Sequence, residues 1–285
     1  MRLTFLAAAA LTLVVSAAIV LTLIGNAVGF LLRVDPTALW TEGWFPRRGM
    51  YDIRTIVGGT LVISLIAIAV AAPLGIGAAI YLSEYAGSRA RRGLKPIVEV
   101  LAAIPSVVMG FFAIAFISPT LIGSVFPGTP LFNMLAAGLA VGILITPLVA
   151  SVAEDAMHAV PAYLREAAYG LGARRRTTSL RVVVPAAVSG IMAALILGIS
   201  RAIGETMIVA MAAGATGGSL LNLNPLDQGQ TMTAAMTALA IGSDQVRGAE
   251  LTFESLYFVG LLLFAFTFGL NLVSDAFVRR VRRSY

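Results

Sequence analysis

Residues 3–32 carry no charge at all, thirty positions in a row, where roughly twenty suffice for a helix to cross the hydrocarbon of a bilayer. A cleaved signal peptide would show a shorter apolar core of about 7 to 15 residues ending at a clear small-residue site. The run therefore reads as a first membrane span. Five more apolar stretches follow, at 56–82, 96–122, 131–153, 183–213 and 251–278. The expectation is an all-α integral membrane protein with six transmembrane helices. Pro73, Gly75 and Gly77 predict a kinked second span, Pro96 marks the expected start of the third, and Pro147 falls within the fourth. A membrane helix tolerates such residues where neighbours satisfy the freed backbone groups.

Composition agrees with that frame. Of 285 residues, 59% are hydrophobic and 12% charged, and the mean hydropathy is +0.92, too apolar for a soluble globular protein. A pI near 10.2 invites a nucleic-acid reading, yet the basic residues cluster between apolar runs with no aromatic residues among them. That is the positive-inside distribution, and no nucleic-acid partner is expected. Fourteen Lys and Arg fall on one side of the six spans and five on the other, with Arg201 inside a span. Both termini and the loop around residue 166 are thus expected in the cytoplasm, with the chain in the inner (cytoplasmic) membrane.

The connections are unequal. Residues 33–54 read as an external loop with a short surface helix, its Trp40, Trp44 and Tyr51 suited to the membrane interface. Glu99 is placed to pair with Lys95, and Glu154 and Asp155 to sit solvated where the fourth span ends. Residues 215–250 leave the membrane, with a short helix expected over 231–241 at the outer surface. The domain division read from this pattern is a first helix with its external loop (1–55), a transmembrane domain (56–278) containing a polar loop at 157–185, and a basic tail (279–285).

Catalytic chemistry finds little to work with. There is no cysteine, and His158 is the single histidine, placed to cap the fourth span. Lys95, the only lysine, follows Leu94, so no Gly-Lys-Ser/Thr phosphate loop exists and the chain does not hydrolyse ATP by itself. No cofactor or metal site is expected. What remains is Arg201 and Glu205, four positions apart and so expected on one face of the fifth span. A charged residue at such depth faces a bundle interior or a pathway. Two readings stay open: a guanidinium fork offered to an oxyanion in transit, with Glu205 setting its position, or a structural intrahelical ion pair. Ser106 and Thr206 would add hydroxyl donors to the same lining.

The polar island at 166–185 carries the most specific pattern. Glu166, Ala167 and Ala168 are followed by Gly172, Val182, Val184 and Pro185. A short helix, a stop at Gly172 and a second, Arg-rich short helix are expected there. This stretch resembles the EAA loop of ATP-binding-cassette (ABC) importer permeases, departing in having Val184 where a Leu stands. Residues 75–85, the segment 99–106 and the run Arg201-Ala-Ile-Gly-Glu-Thr206 extend the similarity to phosphate importer permeases of the Pst type, closer to PstC than to PstA. The resemblance implies the ABC importer (MetI-like) permease fold with cytoplasmic coupling helices, Glu166, Ala167, Ala168, Gly172 and Pro185 serving ATPase coupling, and Arg201, Glu205, Thr206 and Ser106 lining a substrate path. It implies as partners, besides the lipid bilayer, a PstA-like paralogous permease, two PstB-like ATP-binding subunits and a PstS-like extracytoplasmic phosphate-binding protein. Other cargo, sulfate or molybdate, is the alternative, as is a transporter or channel working without an ATPase.

Overall fold

The computed structural model describes residues 2–40, 43–214, 218–241 and 251–282. Among these, five helices are long and apolar enough to cross a membrane, six if one bent pair counts as a single span. The first is α1 (Arg2–Arg33), almost wholly exposed until Ala27 and Phe30 near its end. Residues 36–40 form a short 3-10 turn, and a two-residue hairpin follows, β1 (Trp44–Phe45) with β2 (Met50–Tyr51). The short helix in this loop is as expected. The aromatic residues divide, however: Trp40 is exposed, while Trp44 and Tyr51 are buried. Tyr51 meets the Phe30 ring edge-on at 5.1 Å and Trp44 at 6.1 Å, and Phe30 stacks on Phe258 at 5.1 Å. Packing against α1 and the last span, not the lipid interface, takes these two rings.

Helix α2 (Ile53–Ile80) runs unbroken through Pro73 and ends in a π turn at Tyr81–Tyr85. Its N-cap is Asp52, whose carboxylate accepts from the Arg54 backbone N–H and Nε, both at 3.0 Å. Burial pushes that carboxyl up, and the Arg54 bonds outweigh it, leaving the group below its usual range. The next helix corrects the sequence reading. Pro96 does not open the third span; it lies within α3 (Ser88–Leu101), and the span begins only at α4 (Ser106–Phe112), continuing through a π-helical stretch to Val125. Basic and apolar residues share α3 on opposite faces, so it cannot be immersed in hydrocarbon, and Pro105 enforces the extended break before α4.

Helix α5 (Met134–His158) is the hub of the bundle. It runs in the same direction as α2, with Gly138 set against Ile66 and Gly142 against Ala67. A Cβ at Gly142 would stand 2.9 Å from the Ala67 carbonyl oxygen, so the approach requires that glycine. After α5 come the loop helices α6 (Ala162–Gly170) and α7 (Arg175–Thr178), then α8 (Val188–Gly204), α9 (Met207–Ala212), α10 (Met232–Ile241) and α11 (Glu254–Arg282). Helix α10 lies in the expected short-helix position, but Met232, Ala234, Ala235 and Leu239 are buried; it packs on α2, α9 and α11.

The two ends of the bundle differ. At one, the end of α1 and the start of α11 are joined by the Arg33–Glu254 ion pair, and β1 bonds to the returning loop, Trp44 N–H to Ser219 O at 2.8 Å. At the other, the ends of α2 and α5 meet α6 and α7. This alternation is what the distribution of charge predicts.

Candidate functional site

Two arrangements stand out: the loop at 157–185, and the fifth span. In the loop, α6 closes with a Schellman motif. Gly172, at φ +78°, donates to Tyr169 O at 2.9 Å, and Ala173 donates to Ala168 O at 3.0 Å. The left-handed backbone at this point suits glycine best, with asparagine next. The chain then re-enters helix at Arg175, and the helix, a short turn and a bend follow the expected order. Glu166, Ala167 and Gly172 are exposed, Ala168 and Pro185 half-buried. The tip is apolar as well as exposed: Leu171 is 89% exposed, Tyr163 65% and Tyr169 44%. Apolar side chains at a solvent-facing turn mark a surface made to be covered.

While its tip is free, the loop's base is fixed. Arg165 Nη2 reaches the Glu84 carboxylate at 2.8 Å and Met157 O at 2.8 Å, and its Nη1 reaches Val160 O at 2.7 Å. Arg175 Nε bonds Glu84 O at 2.7 Å, with its guanidinium 5.3 Å from the centre of the Tyr85 ring. The orphan carbonyls at the ends of α5 and α2 are thus taken up by cationic side chains.

Beside it, Glu154 is fully buried instead of solvated and pairs with Arg91 and with Lys95, the latter at 2.7 Å; Asp155, exposed, also accepts from Lys95 at 2.9 Å. The expected Lys95–Glu99 pair gives way to these, because α3 lays its basic face on the end of α5. Hydrogen bonds to Glu154 and then Asp155 hold the Lys95 ammonium above its ordinary pKa. His158, in the last turn of α5, has Nδ1 3.2 Å from Arg91 Nη1.

The fifth span is broken twice. Segments Arg175–Ala186 and Val188–Gly204 meet at a 70° bend. Helix α8 then stops at Gly204, and Glu205 turns extended at φ −67°, ψ 127°. Arg201 and Glu205 therefore do not share a helical face, and no ion pair joins them among the described residues. Arg201 is exposed in the last turn of α8. Glu205 is half-buried; its Oε1 lies 3.5 Å from Ile208 N at the start of α9, and its carbonyl accepts from Thr233 Oγ1 at 2.8 Å. Thr206 Oγ1 donates to Gly204 O at 3.2 Å. Ser106 opens α4, which packs on α9 through Gly110 and Met211. No hydrogen bond ties Ser106 to the other three among the described residues.

Sequence reasoning missed Glu84, Arg165 and Arg175. The signal available was adjacency: Arg165 immediately precedes Glu166, and Glu84 lies in the family-like segment 75–85.

Residues 71–283 match the family described as "Binding-protein-dependent transport system inner membrane component". The chain is 34% identical over 218 residues to the "Probable ABC transporter permease protein YqgH" of Bacillus subtilis, covering 76% of this chain and 69% of that protein. It is 31% identical over 263 residues to the "Phosphate transport system permease protein PstC" of Pasteurella multocida, covering 86% and 80%. Among solved structures, a bacterial alginate ABC transporter in complex with an alginate-bound periplasmic protein superposes with a TM-score of 0.69 at 16% identity, covering 98% of this chain and 96% of that one. That likeness shows the fold: the helical arrangement is that of ABC importer permeases.

Proposed function

Since the chain belongs to the family of binding-protein-dependent transport system inner membrane components, a multi-pass membrane protein family, we propose that it is the PstC-type permease subunit of an ATP-driven importer of inorganic phosphate. The phosphate assignment is supported by the PstC relatives. The single observation that carries the mechanism is the loop with an exposed apolar tip and a bonded base, a shape suited to receiving a push from a soluble partner. Glu166, Ala167, Ala168, Gly172 and Pro185 form the coupling element, which fits a cleft on an ATP-binding subunit. ATP hydrolysis belongs to that subunit, because this chain has no phosphate loop.

Arg201 supports the position of the pathway. A guanidinium left facing lipid within a span costs about 2.5–3.5 kcal/mol, so the exposed Arg201 of a lone chain faces a partner permease or a wetted cavity in the assembly. There it offers paired donors to a phosphate oxygen pair. Glu205, held at the start of α9, limits how strongly a multivalent anion is retained. Thr206 supplies a hydroxyl at the helix break and Ser106 one at the start of α4; discontinuous spans of this kind recur at transporter binding sites. Nucleotide binding would draw two ATP-binding subunits together, and the motion, entering at the loop, would exchange outward for inward access. Both termini are assigned to the cytoplasm with the loop, and the external phosphate-binding protein docks on the opposite end.

Vesicles holding this chain, its paralogous permease partner and the ATP-binding subunits, supplied with the binding protein, should take up labelled phosphate only with ATP inside the compartment that bathes the loop. Displacement of the label by excess sulfate or molybdate would move the assignment to another oxyanion. Uptake by this chain alone without ATP would replace the importer with an ATPase-independent transporter.

A further inference from the structure

We propose that Glu84 is the positioning residue through which the coupling loop moves α2, a second route of transmission beside the polypeptide itself; the proposal rests on the coupling role of the loop given above. Covalently, the loop connects to α5 before it and, through the 70° bend before Val188, to α8 after it. Helix α2 has no such link, yet it packs along both α5 and α8. One residue at its end supplies the missing connection. The Glu84 carboxylate holds Arg165 of α6 at 2.8 Å, and the Glu84 carbonyl holds Arg175 of α7 at 2.7 Å. Both arms of the loop are therefore fastened to the same residue, one on its side chain and the other on its main chain.

The geometry at the junction is specialised. Residues Tyr81–Tyr85 form a π turn, with Ala86 N–H reaching Tyr81 O at 2.7 Å; such insertions are frequent at functional positions. Glu84 is only 6% exposed. The groups facing its carboxylate are Arg165 and the Ser83 hydroxyl at 3.0 Å. Arg165 meanwhile holds Met157 O and Val160 O, so one guanidinium joins the ends of α2, α5 and α6. A buried ion pair is weak evidence for net stability, since apolar packing of equal volume does as well, but a planar fork with several fixed acceptors defines relative orientation. At a place where three helices meet a moving loop, orientation is what must be transmitted.

The test uses the whole complex in vesicles and reads phosphate uptake and ATP hydrolysis together. Glu84→Gln keeps the size of the side chain and removes its charge. Arg165→Lys keeps the charge, but its ammonium cannot reproduce the planar fork that bridges the carboxylate and both carbonyls. Each variant should lower phosphate taken up per ATP hydrolysed by at least about fivefold, while the ATP-binding subunit still co-purifies and still hydrolyses ATP. An unchanged ratio in either assembled variant would overturn the proposal, and Arg165→Lys decides the matter should Glu84→Gln fail to assemble. Absence of the ATP-binding subunit from the unaltered complex would instead overturn the coupling reading on which this one rests.

Discussion

Replacing Gly172 tests whether the loop acts through its shape. Its φ of +78° lies in the left-handed region, and a Cβ placed there would meet nothing within 4 Å. The cost of substitution within this chain is therefore conformational, about 1–2 kcal/mol for an ordinary L residue and more for a β-branched one. At 1.4 kcal/mol per tenfold, the docking-competent loop would fall roughly 5- to 30-fold in population against alternatives that relax the strain. Asparagine tolerates this backbone better than alanine or valine does. Uptake at limiting ATP-binding subunit should then rank Gly, Asn, Ala, Val in falling order. If exclusion from the partner's cleft were what mattered, the larger Asn would be worse than Ala. That inverted order, or uptake by Gly172→Val equal to the unaltered protein, would refute the reasoning.

Other outcomes follow from the same contacts. Glu154→Ala leaves Arg91 and Lys95 without their buried carboxylate and should cost about 3 kcal/mol, the low end for a broken buried pair because both cations are partly exposed; the midpoint of thermal unfolding in detergent reads it. The Lys95 contribution should be complete below the free lysine value of 10.5 and disappear as pH rises through its elevated native value. A melting series across that window should therefore steepen in the unaltered chain and flatten in Lys95→Met. Gly142→Leu, forced against the Ala67 carbonyl and Val70, should prevent α2 and α5 from packing, at about 1–3 kcal/mol or more, and lower the yield of assembled complex. Arg201→Ala should abolish phosphate uptake while leaving ATP hydrolysis in place.

The spans were legible because charge is sparse in them, a property that needs no tertiary knowledge. The loop was legible because Gly172 does locally what its position demands. Proline misled where tertiary neighbours decide: Pro96 sits inside a surface helix instead of at the start of a span. The end of α8 at Gly204 had no proline to announce it, so Arg201 and Glu205 looked like helical neighbours. Trp44 and Tyr51 were read as interfacial and Glu154 as solvated because their partners, Phe30, Phe258, Arg91 and Lys95, lie far away in sequence. For the same reason the bonds between Glu84 and Arg165, 81 positions apart, could not be read from local pattern.

Leu171 is 89% exposed at the tip of the loop, and the chain has no cysteine, so Leu171→Cys gives this chain a single thiol for crosslinking in the assembled complex. This thiol should join the ATP-binding subunit in native membranes, with a yield that changes when nucleotide is added. A thiol that never meets that subunit, while Leu220→Cys at the opposite end of the bundle does, would contradict it.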